Sequence, residues 1–294
     1  MENIFSFCNQ KGGVGKTTSV INIGSYMATM GYKVLILDMD SQANTTSGLG
    51  VEKPSIEFTT YQLIVEKVDP RSLVKNTKIE NLQLIPSNAD LAGAEINLIN
   101  TERREYQLHD RMESISKEYD FVLIDCPPSL GLTTINCLNA SGYIIIPLQC
   151  EYYALEGLSQ LLHTFQLVQS KLNPSLQIGG VLLTMADLRT NLTQQVIEEV
   201  KNYFKEKVFS TVIPRSVKIS EAPSFGQPAI VYDPTNRGSK AYCDVGCEFA
   251  KRFASRQLPL VDNAVAEDNQ NPVIKDSERP FESVVGKNPE EAQP

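Results

Sequence analysis

The chain has 294 residues, a hydrophobic fraction of 41% and a formal net charge of −8. This is an ordinary globular composition with enough apolar material for a large α/β domain. No run of about 18 apolar residues predicts a transmembrane helix. The first residues lead directly into an apolar segment, without the basic start and cleavage site of a secretory signal peptide. We therefore expect a cytoplasmic protein.

Apolar, strand-like segments alternate with amphipathic, helix-like segments through most of the chain. Strands are predicted at 4–8, 34–38, 82–86, 121–125, 143–147, 178–184, 208–212 and 229–231, and helices at 16–30, 88–100, 104–118, 131–140, 154–172, 191–206 and 236–254. Segments 34–37 and 121–124 are apolar throughout, which is typical of strands buried on both faces of a parallel sheet. The alternation predicts a doubly wound α/β domain, with a mostly parallel twisted sheet, helices on both faces and ligands at the carboxyl ends of the strands.

The last forty residues differ in composition from the rest. From about Leu258 the sequence is rich in Asn, Pro, Glu and Asp and has no hydrophobic periodicity. We predict one domain over 1–254 and a disordered acidic tail over 255–294. The net charge argues against a nucleic-acid partner, but half of it falls in this tail. The domain is only mildly acidic, so a local basic face remains compatible with its composition.

A glycine-rich segment between the first strand and the first helix carries the strongest chemical signal. It consists of Lys11, Gly12, Gly13, Val14, Gly15, Lys16, Thr17 and Thr18. Glycines let backbone N–H groups wrap a polyphosphate, and the helix that follows adds its positive dipole end. Lys16 is expected to contact the β- and γ-phosphates and Thr17 a magnesium ion. The segment predicts a site for ATP and Mg²⁺; a glycine-rich turn with chance basic residues is the alternative.

Two other predicted strands end in carboxylates. Asp38 and Asp40 lie two residues apart at a carboxyl edge and so face the same side. Asp125 ends an apolar strand, as in the Walker B pattern that holds magnesium through a water. The turn that follows, 126–129, contains two prolines and is stiff enough to sense the γ-phosphate. Solvated turn residues are the alternative, which the nearby phosphate loop weakens.

Together these segments resemble the ParA-type partition ATPases of the ParA/MinD superfamily. The resemblance covers about 1–254 and is carried by segments 9–18, 37–50, 119–130 and 212–234. Segments 213–216 and 220–228 are especially similar to the ParA branch. No helix-turn-helix segment precedes the first strand, so the chain resembles the short form of the family.

The resemblance implies roles for individual residues. Lys11 is similar to the additional lysine of the deviant Walker A motif, which reaches across a dimer to the partner's nucleotide; a solvated surface charge is the alternative. Asp40 would orient the attacking water, while Asp38 supports the metal and Asp125 is the Walker B carboxylate. The residues implied to border the adenine are Pro214, Arg215 and Ser216.

The resemblance also implies a function. It predicts an ATPase that is weak alone and stimulated by a ParB-type centromere-binding partner. The ATP-bound homodimer would bind DNA non-specifically on the nucleoid and drive chromosome or plasmid partition. Phosphate-directed contacts would come from basic residues in the carboxyl half, with solvated surface charges as the alternative: Arg189, the strongest candidate, and Arg215, Lys218, Arg237, Lys240, Lys251 and Arg252.

Two competing functions and a question about the cysteines remain open. Membrane-surface positioning of the MinD kind would need a terminal amphipathic helix, and the acidic, proline-broken tail argues against membrane binding. An electron-transfer ATPase similar to the nitrogenase iron protein would need paired cysteines at a subunit interface. The six cysteines, at 8, 126, 137, 150, 243 and 247, form no CxxC pair. We predict reduced core thiols, with zinc or redox chemistry as the alternative.

Overall fold

Seven strands form one sheet in the computed structural model, which describes residues 2–52, 56–151, 158–256 and 258. They are β1 (Ile4–Phe7), β2 (Val34–Asp38), β3 (Lys75–Asn76), β4 (Leu82–Ile85), β5 (Phe121–Asp125), β6 (Tyr143–Gln149) and β7 (Gln177–Thr184). Their order is β3-β4-β2-β5-β1-β6-β7, and only the β3–β4 pair is antiparallel. The predicted mostly parallel α/β fold is confirmed.

Helices connect the strands and cover both faces of the sheet. The α-helices are α1 (Lys16–Thr29), α2 (Asn44–Gly48), α3 (Pro70–Leu73), α4 (Ala94–Leu98), α5 (Gln107–Ile115), α6 (Leu132–Ala140), α7 (Leu158–Lys171), α8 (Asn191–Phe204), α9 (Val217–Glu221), α10 (Ala229–Tyr232) and α11 (Arg237–Phe253). One buried cluster includes side chains of α5, α6, α7 and α8, and a second includes those of α1 and α11. The sheet therefore lies between two apolar layers, as expected for strands without a polar face.

Aromatic packing fixes α11 against the middle of the sheet. The Phe249 ring of α11 lies 4.8 Å from that of Phe5 on β1 and 5.7 Å from that of Phe121 on β5. At the end of α11, the Phe253 ring lies 5.0 Å from that of Tyr143, the first residue of β6. The carboxyl end of α11 thus lies at the amino ends of the strands, away from the edge where ligands are expected.

Two strand predictions were wrong. Segment 208–212 follows the edge of β7 through two backbone hydrogen bonds of 2.9 Å, from Phe209 N and Ile213 N, but forms no strand. Between them the Glu248 carboxylate accepts the N–H of Ser210, which takes that group out of any ladder. Segment 229–231 is helical, in α10, because Pro228 precedes it and Asn22 Oδ1 accepts the N–H of Ala229.

The helix predictions were better in the long elements than in the short ones. The helices expected at 16–30, 131–140, 191–206 and 236–254 are present; of the helix expected at 154–172, Leu158–Lys171 is present, and 154–157 lie outside the described residues. The segment at 88–100 is divided into a 3₁₀ segment at Ala89–Gly93 and a short α-helix at Ala94–Leu98, whereas 104–118 is helical throughout, as the α-helix Gln107–Ile115 with a 3₁₀ turn at each end. Apart from 255, 256 and 258, the predicted tail lies outside the described residues. Within the described part of the chain, no helix has the length and apolar character needed to span a membrane.

Candidate nucleotide-binding site

The glycine-rich segment forms a loop between β1 and α1 at the carboxyl edge of the sheet. Gly13 and Gly15 have φ values of 73° and 90°, a left-handed conformation that favours glycine. Gly15 is also the residue from which α1 begins, and the first turn of α1 carries no acidic side chain. The loop and the helix end therefore present backbone N–H groups and positive dipole character to the same space.

Neighbouring strands hold this loop in place. Thr184, the last residue of β7, donates its hydroxyl to the carbonyl of Val14 over 2.8 Å. Asn9 donates its amide to the carbonyl of Pro147 in β6 over 2.8 Å and accepts the N–H of Lys11 over 3.0 Å. The loop is thus tied to the ends of two strands that are distant in sequence.

The two lysines of the loop lie in different environments. Lys16 is only 7% exposed, and its Nζ donates to the carbonyl oxygens of Asn9 and Lys11 over 3.0 and 3.2 Å. Lys11 is half exposed, and its Nζ lies 2.8 Å from a carboxylate oxygen of Glu151. Lys16 therefore points into the loop, whereas Lys11 points out of it.

Asp38 and Asp125 are register partners on β2 and β5, and both are buried. Asp125 Oδ2 accepts hydroxyl hydrogen bonds of 2.7 Å from Thr17 and from Thr45, whereas its Oδ1 is buried without a partner. Burial, followed by the charge of Asp38, raises the pKa of Asp125 to about 8. Asp125 thus has one oxygen that accepts two hydrogen bonds and one buried oxygen that accepts none.

Asp38 is fully engaged by its neighbours. Its Oδ2 accepts both the N–H and the hydroxyl of Thr46, over 2.8 and 2.7 Å, and its Oδ1 accepts the N–H of Asp40 over 3.2 Å. Burial raises the pKa of Asp38 to about 6 despite these hydrogen bonds. Asp38 therefore organises the turn that carries Asp40, which lines a cavity over the phosphate loop.

A cavity of about 440 Å³ lies over the loop. Its walls bring together most of the predicted nucleotide contacts: Gly12, Gly13, Gly15, Lys16, Thr17, Thr18, Asp40, Pro214, Arg215 and Ser216. Asp125 and Asp38 lie beneath it, bound to the lining residues Thr17 and Asp40, and Val14 is buried and does not line it. Sequence segments separated by up to two hundred residues thus form one site.

The wall formed by Pro214–Ser216 is held by two connections. Pro214 pairs with Ala186 just beyond β7, and the N–H of Arg215 donates to the Ala186 carbonyl over 3.1 Å. The hydroxyl of Ser216 lies 2.8 Å from the side-chain oxygen of Asn236, which caps α11. This wall is therefore continuous with the start of α11.

The basic residues predicted to contact DNA fall into two groups. Arg189, Arg215, Lys218, Arg237 and Lys240 surround the Pro214–Ser216 wall, at the cavity edge of the sheet. Arg189 is 88% exposed and forms a bidentate ion pair with Asp187, which lowers the pKa of Asp187 to about 2. Lys218 pairs with Glu221 over 3.0 Å.

Lys251 and Arg252 form the second group, at the carboxyl end of α11. They lie about 16 Å along the helix axis from Lys240. Lys251 is exposed. Arg252 is only 23% exposed, pairs with Glu248 over 2.5 Å and covers the Phe209 ring at 4.4 Å. Arg252 thus contributes to packing between α11 and the segment after α8.

The cysteines pack as expected for core thiols. Cys8, Cys126, Cys137 and Cys150 are buried, and Cys243 and Cys247 are partly buried. Across the described residues, no three His, Cys, Asp or Glu side chains are grouped so that they could hold a metal ion.

Several residues of the site were not predicted from the sequence. Thr45 and Thr46 bind the two buried carboxylates, and Thr184 and Asn9 hold the loop. Tyr242 of α11 lines the cavity, and its hydroxyl lies 3.1 Å from that of Ser19 in α1. Thr184 could have been found from the sequence, because it ends a predicted strand. The other residues could not, because their hydrogen-bond partners are brought near only by the fold.

Comparisons with known proteins identify the family. An AAA domain family matches residues 2–178. The sporulation initiation inhibitor protein Soj of Bacillus subtilis is 55% identical over 250 residues, which cover 85% of this chain and 99% of Soj. The chromosome partitioning protein ParA of Myxococcus xanthus is 48% identical, over 85% of this chain and 88% of that protein. This chain belongs to the Soj/ParA family of partition ATPases.

Solved structures agree with this assignment to Soj/ParA and with the fold. A cobyrinic acid a,c-diamide synthase from Mycobacterium smegmatis with bound ADP and magnesium superposes with a TM-score of 0.75 at 33% identity, over 88% of this chain and 99% of that one. A putative plasmid partition protein from Borrelia burgdorferi, bound to AMPPNP, superposes with a TM-score of 0.73 at 29% identity, over 85% and 98% of the two chains. Nucleotide binding and ATPase activity are thus family properties that this chain shares in sequence and in fold.

Proposed function

We propose that this chain, a member of the Soj/ParA family, is an ATP-dependent dimerising switch. In its ATP-bound form it binds DNA non-specifically and acts with a ParB-type partner in chromosome or plasmid partition. The observation that carries the proposal is the outward-pointing Lys11 on a phosphate loop whose other lysine, Lys16, points inward. One cation serves the nucleotide of its own chain, and the other is available to a second chain.

ATP fits the cavity through two sets of residues. The loop from Lys11 to Thr18 wraps the phosphates, with Lys16 as the cation at the β- and γ-phosphates. Pro214, Arg215 and Ser216 line the same cavity and, in this proposal, border the adenine. Both sets are anchored to strand ends, so the site is formed before the nucleotide arrives.

Magnesium fits the residues beneath the cavity floor. Asp125 Oδ1 is a buried acceptor without a partner, and the Thr17 hydroxyl lies beside it on the same carboxylate. Mg²⁺ is commonly held by one or two carboxylates, several waters and the substrate phosphates, so a larger group of acidic ligands is unnecessary. Thr17 and Asp125 would hold the ion, and Asp38 would support them indirectly. When bound, Mg²⁺ neutralises charge on the phosphates.

Hydrolysis requires a positioned water and a cation at the developing charge. Asp40 reaches the cavity from a turn fixed by Asp38, and in this proposal it orients the attacking water. Lys11 of the second subunit supplies the cation. In the single chain, Lys11 is paired with Glu151 at the surface, and exposed pairs of this kind contribute only about 0–1 kcal/mol. Lys11 can therefore exchange partners on dimerisation at little cost.

DNA binding follows from the position of the basic residues around the adenine wall. Arg189, Arg215, Lys218 and Lys240 lie on structure continuous with that wall. Joining two chains doubles the number of such residues that face one DNA duplex. Contacts of these residues with DNA phosphates would not depend on the base sequence, and they would depend on ATP because ATP joins the two chains. The basic surface is local, so it is compatible with a net negative charge.

Light scattering and DNA co-sedimentation with ATP, ADP or no nucleotide test this function. Wild type should dimerise and pellet with DNA only with ATP. Lys11→Ala should bind ATP but neither dimerise nor pellet, whereas Asp40→Ala should do both without hydrolysing ATP. Lys117→Ala, at an exposed lysine before β5, is the matched control.

An ATP-dependent dimer of undiminished affinity in Lys11→Ala, or equal DNA binding with ADP and ATP, would contradict the proposal. Normal turnover by Asp40→Ala would remove that residue from the mechanism. Replacing DNA with anionic vesicles tests the alternative of membrane-surface positioning.

A further inference from the structure

Thr45 is a buried hydroxyl beside the proposed magnesium site. We infer that Thr45 is a positioning residue that fixes the orientation of the Asp125 carboxylate and so decides which of its oxygens is presented to the metal. The inference rests on the proposed nucleotide and magnesium chemistry of this site, and it extends that chemistry to a residue outside the phosphate loop and the acidic strand ends.

The hydrogen bonds to Asp125 are divided unequally between its two oxygens. Thr45 is 0% exposed, and its hydroxyl donates to Asp125 Oδ2 over 2.7 Å. The Thr17 hydroxyl donates to the same oxygen over 2.7 Å, while Oδ1 is buried and has no partner. Each hydroxyl has one proton to donate, and both protons are directed to Oδ2.

Two donors on one oxygen restrict rotation of the carboxylate. The Thr17 hydroxyl can keep its donation to Oδ2 while its lone pairs face a metal ion, so both donors are compatible with the bound state. Without Thr45, only Thr17 would distinguish Oδ2 from Oδ1. The carboxylate could then rotate. Part of the free energy of metal binding would be needed to restrict that rotation, so metal affinity would fall.

The backbone around Thr45 is itself firmly placed. Thr45 is the second residue of α2, and the next residue, Thr46, binds Asp38 in the same way that Thr45 binds Asp125. A Cβ on Gly48 would lie 2.6 Å from Ile21 Cδ1, which shows how closely α2 packs on α1. Adjacent threonines on one short helix thus hold the two carboxylates that face each other across β2 and β5.

The test compares Thr45→Val, which keeps the shape of the side chain and removes its hydroxyl, with Thr45→Ser, which keeps the hydroxyl. Electron paramagnetic resonance of Mn²⁺ measures metal affinity of the full chain with ADP, and calorimetry measures ADP affinity with and without Mg²⁺. We expect Thr45→Val to weaken metal binding about threefold to tenfold, consistent with loss of one buried hydrogen bond. Metal-free ADP affinity should stay within about twofold of wild type, and Thr45→Ser should bind metal as wild type does.

Equal metal affinity in Thr45→Val and wild type would overturn the inference and leave the proposed function intact. An equal loss of ADP affinity with and without metal would also overturn it, since that would indicate a purely structural role. If wild type shows no effect of metal on nucleotide binding, the proposed magnesium chemistry fails as well. Thr45→Ala provides a second hydroxyl-free variant should Thr45→Val fold poorly, and the same criteria apply to it.

Discussion

At the scale of single residues, the site retains a carboxylate pair that costs stability. Asp38 and Asp125 are buried side by side on neighbouring strands, and burial raises the pKa of each. A carboxyl group whose pKa is higher in the folded state than in the unfolded state stabilises the fold at low pH. This stability is lost progressively as the pH rises from about 4 toward the folded-state pKa of about 8 for Asp125.

Asp125→Asn should therefore stabilise the nucleotide-free protein at pH 8 while weakening its response to magnesium. We expect a gain on the order of 1–3 kcal/mol at pH 8 and a smaller gain at pH 5, because an amide does not ionise. Thermal unfolding at the two pH values, without nucleotide, measures the difference. Glu113→Gln, at an exposed carboxylate of α5, is the control. A destabilised Asp125→Asn protein at pH 8 would show that the charged carboxylate is already compensated.

The sequence predicted the residues of the site whose chemistry is local. The loop glycines and lysines and the strand-end aspartates are recognisable from spacing alone. Thr45 acts on a carboxylate 80 positions away, and Thr184 acts on a carbonyl 170 positions away. Such contacts depend on the order of strands in the sheet, which no local pattern specifies.

At the scale of elements, strand predictions held inside the sheet, where strands are buried on both faces, and failed for two apolar segments outside it. Strands β2 and β5 are apolar up to their terminal aspartates, which is typical of strands buried on both faces of a parallel sheet. Segments 208–212 and 229–231 are also apolar, but side chains from other elements bind backbone N–H groups in them: Glu248 binds that of Ser210 and Asn22 binds that of Ala229. Apolar composition alone cannot distinguish a strand from a short irregular or helical segment that packs on the core.

The contact between the segment after α2 and the segment before α10 gives an element-scale prediction. Gly226 has a φ of 62°, and a Cβ there would lie 2.7 Å from Gly50 Cα. Gly226→Ala should therefore destabilise the protein by about 1–3 kcal/mol through backbone strain and overpacking. Gly93→Ala is the matched control, because its Cβ would meet no atom within 4 Å. Urea unfolding compares the two, and equal stability would mean that the two segments separate easily.

At the scale of the whole molecule, α11 divides the basic residues between opposite edges of the sheet. Its first turn lies beside the adenine wall, and its last turn packs against the first residue of β6. A helix of 17 residues is about 25 Å long, so the two basic groups lie at opposite ends of the sheet's strands. The sequence indicated a basic set but could not show that it is split.

A salt series should therefore distinguish the two basic groups. Arg189→Ala should reduce the slope of log affinity for DNA against log salt by about 1 per subunit with ATP, since each phosphate contact contributes about 0.9. Lys251→Ala should leave the slope unchanged. Filter binding between low and physiological salt measures both. A loss in Lys251→Ala alone would place the DNA along the far end of α11 instead.

The position of Arg256, near the end of the described domain, bears on how the protein can be labelled. The Arg256 guanidinium binds both Asp120 oxygens, over 2.8 and 2.6 Å, just ahead of β5, and its carbonyl accepts the Tyr32 hydroxyl over 3.2 Å. These bonds fix Arg256 at the amino ends of the strands, whereas Lys11 and the cavity lie at their carboxyl ends. A dye or fluorescent protein attached after this point begins its path on the side of the domain away from the proposed partner-facing surface.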